Sequence, residues 1–250
     1  MRHLLTIFLF PLLLFSCKNQ EVQSKQAQGK QIVLTDSIKA DPAIEEFIAP
    51  YRAHIASEMD SVLAYAPKDL DKSEGDLNTA IGNMMADAVK EMADPVVISR
   101  KGKSIDVVLL NFGGIRSTIN KGNITTRTAY QVMPFENEVI IAEMTGEALG
   151  GMIKYLIRAN TAHPLSGLEL WLDERDNVVK ALVQGAPIEE NRTYYVATND
   201  YLFQGGDNMD FFSEATDSFY LDYKIRNLLI DYFKKHDTIA PSTDHRFIRK

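Results

Sequence analysis

The chain has 250 residues, 45% of them hydrophobic, and a formal net charge of −7 at pH 7. That length and apolar fraction allow one sizeable core or at most two small ones. The negative balance makes nucleic acid a poor partner, so any anionic ligand must be held by a few local cations.

Residues 1–17 read as an export signal. Arg2 and His3 form a short basic region, and the apolar run Leu4 to Phe15 falls well short of the roughly 20 residues a membrane span needs. Leu14-Phe15-Ser16-Cys17 looks like a bacterial lipobox, in which the cysteine becomes the lipidated first residue. Cys17 is also the single cysteine, so no disulfide is possible within the chain. The expectation is a protein anchored by lipid in the bacterial cell envelope, periplasmic or surface-exposed. Residues 18–40 are polar and Gln-rich, which suits a flexible tether, and residues 41–250 form the folded domain.

Asp41 to about Ala64 reads as one helix. Ile44, Phe47, Ile48, Tyr51, Ile55, Met59 and Val62 share one face, and Pro50 is expected to kink or split the element. A second helix is expected over about Leu77 to Met92, with Asn83, Asp87 and Lys90 on its solvent side. Val107 to Leu110 then suit a buried strand, which runs into Asn111-Phe112-Gly113-Gly114-Ile115-Arg116. The adjacent glycines allow positive φ and a close approach to a ligand. Gly122 to Thr125 reads as a second turn. Thr125 or Thr126 caps a short helix carrying Tyr130 to Met133, after which Pro134-Phe135 holds an aromatic on a stiff loop.

Val139 to Met144 is expected to be a strand, and Thr145 to cap a helix reaching Ala159. Leu168 to Leu172 and Val178 to Val183 read as paired strands, with Trp171 on a sheet face or in the core. A strand over Thr193 to Thr198 enters Asn199-Asp200-Tyr201-Leu202-Phe203-Gln204-Gly205-Gly206-Asp207, and residues 220–236 read as the last helix. Strands and helices in this order give an α+β domain of mixed layers.

The two strand-end loops share a character. Each offers an aromatic, a glycine pair and a charged group, which suits a clamp for a flat ring. Phe135 and Tyr201 would sandwich the ring, Asp207 would accept from sugar hydroxyls, and Arg116 would hold a phosphate by two parallel hydrogen bonds. Together these describe a nucleotide.

The pair NFGGIRS…GNIT…MPFEN and NDYLFQGGD resembles the C-terminal, substrate-binding domain of the 5'-nucleotidases, over about residues 40–250. The family pattern runs roughly N-G-G-x-I-R … G-x-I-T … x-P-F-x-N … N-x-[FY]-L-x-x-G-G-D. By this resemblance Phe135 and Tyr201 stack on the base, Asn111 stands near it, Asp207 binds the ribose and Arg116 the phosphate. Gly113 and Gly114 form the turn beneath. The resemblance also makes the first helix the linker that joins this domain to a metallophosphatase domain.

One departure stands out. A second phosphate-binding arginine is expected shortly before the Gly82-Asn83-Met84-Met85-Ala86-Asp87-Ala88 helix motif, yet Glu74 to Ile81 contains no arginine or lysine. Losing such an anchor costs ~1.5–3 kcal/mol, roughly ten- to a hundredfold in affinity. The Asp-x-His and Gly-Asn-His-Asp/Glu metal motifs of the family are absent too, and His54, His163, His236 and His245 are scattered. Ser166 with His163 lacks the Gly-x-Ser-x-Gly turn of a serine hydrolase. No catalytic residue and no cofactor are therefore expected in this chain, divalent metals being expected only in a partner. Two readings stand: the substrate-binding half of a split 5'-nucleotidase working with a separate metallophosphatase and inactive alone, or a stand-alone lipoprotein that binds nucleotides, nucleosides or other phosphoesters without catalysis.

Overall fold

The computed structural model describes residues 29–35 and 37–250. The expected lipobox at Cys17 and the first part of the expected tether lie outside them. Chain contacts divide at Ile48/Ala49, and Ala49–Lys250 forms one compact unit.

In chain order the elements are α1 (Pro42–Met59), β1 (Val62–Ala66), α2 (Ala80–Lys101), β2 (Val107–Leu109), a 3₁₀ turn (Phe112–Gly114), β3 (Gly122–Thr125), α3 (Thr126–Val132), β4 (Glu138–Thr145) and α4 (Gly146–Ala159). There follow β5 (Leu165–Ser166), β6 (Leu168–Leu172), β7 (Val178–Val183), β8 (Ala186–Pro187), β9 (Thr193–Asn199), α5 (Asp200–Phe203), β10 (Asp217–Lys224), α6 (Ile225–Lys235) and β11 (Phe247–Arg249).

The centre is a five-stranded sheet in the order β10-β4-β9-β2-β5. Its side chains alternate between two covers, as the pleat requires. Val108 of β2, Val139 and Ile141 of β4 and Ala197 of β9 face α2 and α6. Val107 and Leu109, Ala142 and Met144, and Tyr194 and Val196 face α4 and the second sheet. Burial on both faces is why β2, β4 and β9 read as nearly unbroken apolar runs. The second sheet runs β11-β6-β7-β8, and β1 pairs with β3 as a separate ribbon.

Several boundaries differ from expectation. Helix α1 ends at Met59, and Val62 to Ala66 pair antiparallel with Gly122 to Thr125. The apolar spacing that extends the helical pattern to Val62 is in fact the start of a strand, and the expected turn at Gly122 is its partner. Pro50 lies within α1, which runs continuously through it. Residues 220–224 belong to β10, where Phe219, Leu221 and Tyr223 alternate toward the core, and helix α6 starts only at Ile225. Helix α2 runs past Met92 and through Pro95 to Lys101, capped by Thr79 and stopped by left-handed Gly102 at φ 66°.

Of the three polar residues expected on the solvent side of α2, Asn83 is buried and the other two are partly covered. Asn83 is 3% exposed; its amide donates to Asn78 Oδ1 at 3.2 Å and to the Ser242 carbonyl at 3.1 Å. Asp87 receives a two-pronged bond from Arg246 at 2.9 and 3.0 Å. Lys90 is half-buried, and desolvation holds its pKa below the ordinary lysine value. Asn83 and Asp87 face the returning C-terminal segment, a partner 159 residues away that no local pattern reveals.

Candidate functional site

The topology brings three loops to one sheet edge. Strands β2 and β9 are parallel neighbours, so their C-terminal ends emerge together. Strand β4 is antiparallel to β9, pairing Val139 with Asn199, so its entry lies at the same edge. Open sheets with parallel strands bind ligands in such a crevice, outside the carboxyl ends of the strands.

The first loop leaves β2 at Asn111. The Asn111 carbonyl accepts from Gly114 N–H at 3.0 Å, but its side chain does not cap the 3₁₀ turn. The amide reaches across instead and donates to Asp207 Oδ2 at 2.7 Å. Neither Gly113 nor Gly114 has a positive φ. At Gly114 clearance is the reason for glycine: a Cβ there would lie 2.8 Å from Asn111 Oδ1. Arg116 follows, exposed, with its guanidinium 5.9 Å from the Phe135 ring centroid and one nitrogen 3.4 Å from the Gly113 carbonyl.

The second loop leaves β9 at Asn199, whose side chain caps α5 by accepting from Leu202 N–H at 2.8 Å. Gly205 is left-handed at φ 88°, as are Asp207 at 53° and Asn208 at 59°. Gly206 has an ordinary φ but leaves room for Tyr201, since a Cβ there would lie 2.6 Å from Cε1 and Cζ of that ring. The Tyr201 hydroxyl donates to Asp207 Oδ1 at 2.8 Å, and this bond holds its pKa above the ordinary phenol value. The Asp207 carboxylate is thus bonded once at each oxygen, with lone pairs left to accept from a ligand.

The third loop carries Phe135. Its carbonyl accepts from Arg226 at 3.3 Å. Arg226 is buried, its guanidinium 4.1 Å from the Tyr130 ring centroid, and with Lys224 it pairs with Glu136. Hydrogen bonds from Lys224 and Arg226 pull the Glu136 carboxyl down to about 2.

All seven residues expected from the sequence line one cavity of about 420 Å³: Asn111, Gly113, Gly114, Arg116, Phe135, Tyr201 and Asp207. Small-molecule sites typically span roughly 300–1,000 Å³. Phe135 is 40% and Tyr201 48% exposed, so neither is a core residue. Large aromatics left open on a concave wall mark a binding surface more than a packing need. Arg116 is the one cation among the lining residues. Lys72 precedes the cation-free stretch but is turned elsewhere: its ammonium donates to the Ile115 carbonyl at 2.8 Å and sits 4.5 Å from the Phe112 centroid.

Three lining residues went unexpected: Met133, Asn137 and Asn199. Both asparagines stand inside the motifs, Asn137 in Pro134-Phe135-Glu136-Asn137 and Asn199 at the head of the second loop. Trp171 lies away from the cavity, its ring on β6 between Lys180 and Lys250 at 4.2 and 3.7 Å. Among the described residues no group of three His, Cys, Asp or Glu stands together to hold a metal ion.

A family model described as "5'-nucleotidase, C-terminal domain" matches residues 62–214. The cell wall protein Lmo0130 of Listeria monocytogenes is 28% identical over 206 residues, covering 72% of this chain and 25% of that protein. The trifunctional nucleotide phosphoesterase protein YfkN of Bacillus subtilis is 25% identical over 224 residues, covering 82% of this chain and 15% of that one. Among solved structures, a 5'-nucleotidase precursor from Thermus thermophilus aligns with a TM-score of 0.68 and 24% identity, over 82% of this chain and 42% of that one. The chain spans a quarter or less of the Listeria and Bacillus relatives. With more than half of its residues under the family model, on the fold just described, the chain belongs to the 5'-nucleotidase C-terminal domain family.

Proposed function

We propose that this chain is the nucleotide-recognising half of a split 5'-nucleotidase, acting in nucleotide breakdown with a separately encoded metallophosphatase. The observation that carries the reading is one cavity lined by both Phe135 and Tyr201 together with Arg116, Asn111 and Asp207, the last two joined by a hydrogen bond. In this reading the base stacks between the two rings, the ribose hydroxyls donate to Asp207, and Arg116 forks onto the phosphate. The Asn137 amide, which also lines the cavity, reads the edge of the base.

Helix α1 supports the need for a partner. Ile44, Phe47, Tyr51 and Ile55 recur at helical spacing, and each is more than half exposed. An exposed apolar stripe of this kind is a docking face. The metallophosphatase is the occupant this reading gives it, because in the family a helix at this place links the domain to a metallophosphatase. The relative described as a cell wall protein fits a place in the cell envelope, with Cys17 as the lipid anchor. The lone Arg116 in the cavity favours a second reading, a stand-alone nucleoside- or nucleotide-binding lipoprotein.

The test is hydrolysis. Purified chain with Mn²⁺, Co²⁺ or Zn²⁺ is expected to leave AMP intact, and to bind adenosine and AMP by calorimetry. Chelator-sensitive turnover above an Arg116→Ala control would refute the division of labour. Absence of any binding would refute the recognition role.

A further inference from the structure

We propose that Tyr155 and His163, which line no part of the cavity, are positioning residues that hold Asn111 and Asp207 in register from behind it. The proposal rests on the nucleoside reading above and assigns work to two residues that reading does not use.

His163 is 7% exposed, and its Nδ1 accepts from Phe112 N–H at 3.2 Å. That donor opens the 3₁₀ turn and has no partner within it. The neighbouring Pro164 carbonyl accepts from Leu110 N–H at 2.9 Å. Asn111 is therefore bracketed by two backbone N–H donors, one bonded to the His163 side chain and one to the carbonyl of the adjacent Pro164. With the turn held this way, the Asn111 side chain is released from capping, and its amide is turned toward Asp207.

The opposite loop is held by the other member. The Tyr155 hydroxyl, on α4, donates to the Asp207 carbonyl at 3.0 Å. Asp207 and Asn208 both sit in the left-handed region, which Asp and Asn enter more readily than other non-glycine residues, and the Tyr155 bond ties down the first of the pair. The Tyr155 and His163 rings meet at 5.7 Å between centroids, tilted by 48°. One ring pair thus fastens both cavity loops, and the 2.7 Å Asn111–Asp207 bond joins those loops to each other. For His163 to accept at Nδ1 its proton must lie on Nε2. Burial, the largest influence, pushes its pKa down to about 4 against the pull of the Asp207 charge and the Leu110 carbonyl, which keeps the ring neutral at pH 7.

Three variants of the full chain separate positioning from packing. His163→Phe keeps a ring and removes the acceptor. His163→Asn returns an acceptor close to the Nδ1 position. Tyr155→Phe removes one hydroxyl. Adenosine affinity is expected to fall roughly tenfold in His163→Phe and in Tyr155→Phe, because each leaves a buried bond of a cavity loop unmade. His163→Asn is expected to recover most of that loss. The double Phe variant is expected to lose less than the product of the two, since both anchors serve one Asn111–Asp207 contact. The Asn111 side-chain amide resonances should shift in both single variants. Melting temperatures that fall while the folded protein binds adenosine as the parent does would overturn the proposal, and so would failure of His163→Asn to outperform His163→Phe. If the parent chain binds no adenosine, the nucleoside reading is what fails. The Asn111 resonances then decide positioning alone, and their staying in place in both single variants overturns it.

Discussion

Truncating the aromatic walls one at a time puts the cavity to its sharpest test. Phe135 and Tyr201 come from loops 66 positions apart, yet both line the same cavity and remain 40% and 48% exposed. Stacking a base on one aromatic is worth about 1–3 kcal/mol by alanine substitution in proteins that bind single strands, or roughly five- to a hundredfold in affinity. A fully buried aromatic would instead cost about 3–5 kcal/mol of stability on truncation, and these two are far from fully buried. Phe135→Ala and Tyr201→Ala should therefore melt close to the parent while binding adenosine at least fivefold more weakly. Tyr201→Ala also removes the 2.8 Å bond to Asp207; Tyr201→Phe isolates that part, because it keeps the ring. The double alanine variant should lose less than the two single losses combined, since a base that has lost one wall is already loose on the other. Calorimetric titration with adenosine beside thermal melts reads all of this. Variants that melt much earlier while their folded fraction binds normally would refute the stacking argument.

Arg116→Ala should weaken AMP by about tenfold or more, from the loss of a charge-assisted bond, and leave adenosine unchanged; an equal loss for both ligands would show that Arg116 does not address phosphate. Gly206→Ala places a Cβ 2.6 Å from the Tyr201 ring and 2.5 Å from its carbonyl oxygen, so it should cost about 1–3 kcal/mol by overpacking and weaken adenosine as well, both read from the same melts and titrations. Urea midpoints should fall between about pH 6.5 and pH 4. Over that window the unfolded chain protonates His163 while the folded chain, with its pKa near 4, does not. A contribution of about 3 kcal/mol is fully present above the upper limit and lost by the lower one. His163→Phe should remove that slope; the Glu136 carboxyl, held near 2, acts only at lower pH. Cys17→Ser should move the protein from the membrane fraction to the soluble one, and retention in the membrane would refute the lipid anchor.

How legible each part was in the sequence follows from how local its cause is. Strands β2, β4 and β9 stand out because both faces of the sheet are covered, so apolar residues run nearly unbroken through their centres. The caps of α3 and α4, at Thr125 and Thr145, are readable because a cap is satisfied within four residues. Strand β3 is not readable, since Gly122-Asn123 pairs with Tyr65 and Ala66, nearly 60 positions earlier. Strand β10 was hidden for another reason: the apolar residues of α6 continue its alternation at Leu221, and a helical period fits both. The cavity residues were readable because two glycine-bearing loops at strand ends combine into one pattern, although the role of their glycines was not. Gly114 and Gly206 serve clearance rather than positive φ, and clearance depends on where Asn111 and Tyr201 point.

His163 is the limiting case. In sequence it is one of several scattered histidines, and its acceptor role exists only because β5 returns beside β2 and sets it 3.2 Å from a backbone donor 51 positions earlier. Tyr155 likewise reads as one more residue of α4 until its hydroxyl meets the Asp207 carbonyl. The residues that would touch a ligand carry their chemistry in type and spacing. Those that hold them in place carry it only in three-dimensional position. A loop motif alone can therefore name the cavity, whereas the stiffness of the cavity, and with it the affinity, depends on a ring pair that no motif contains.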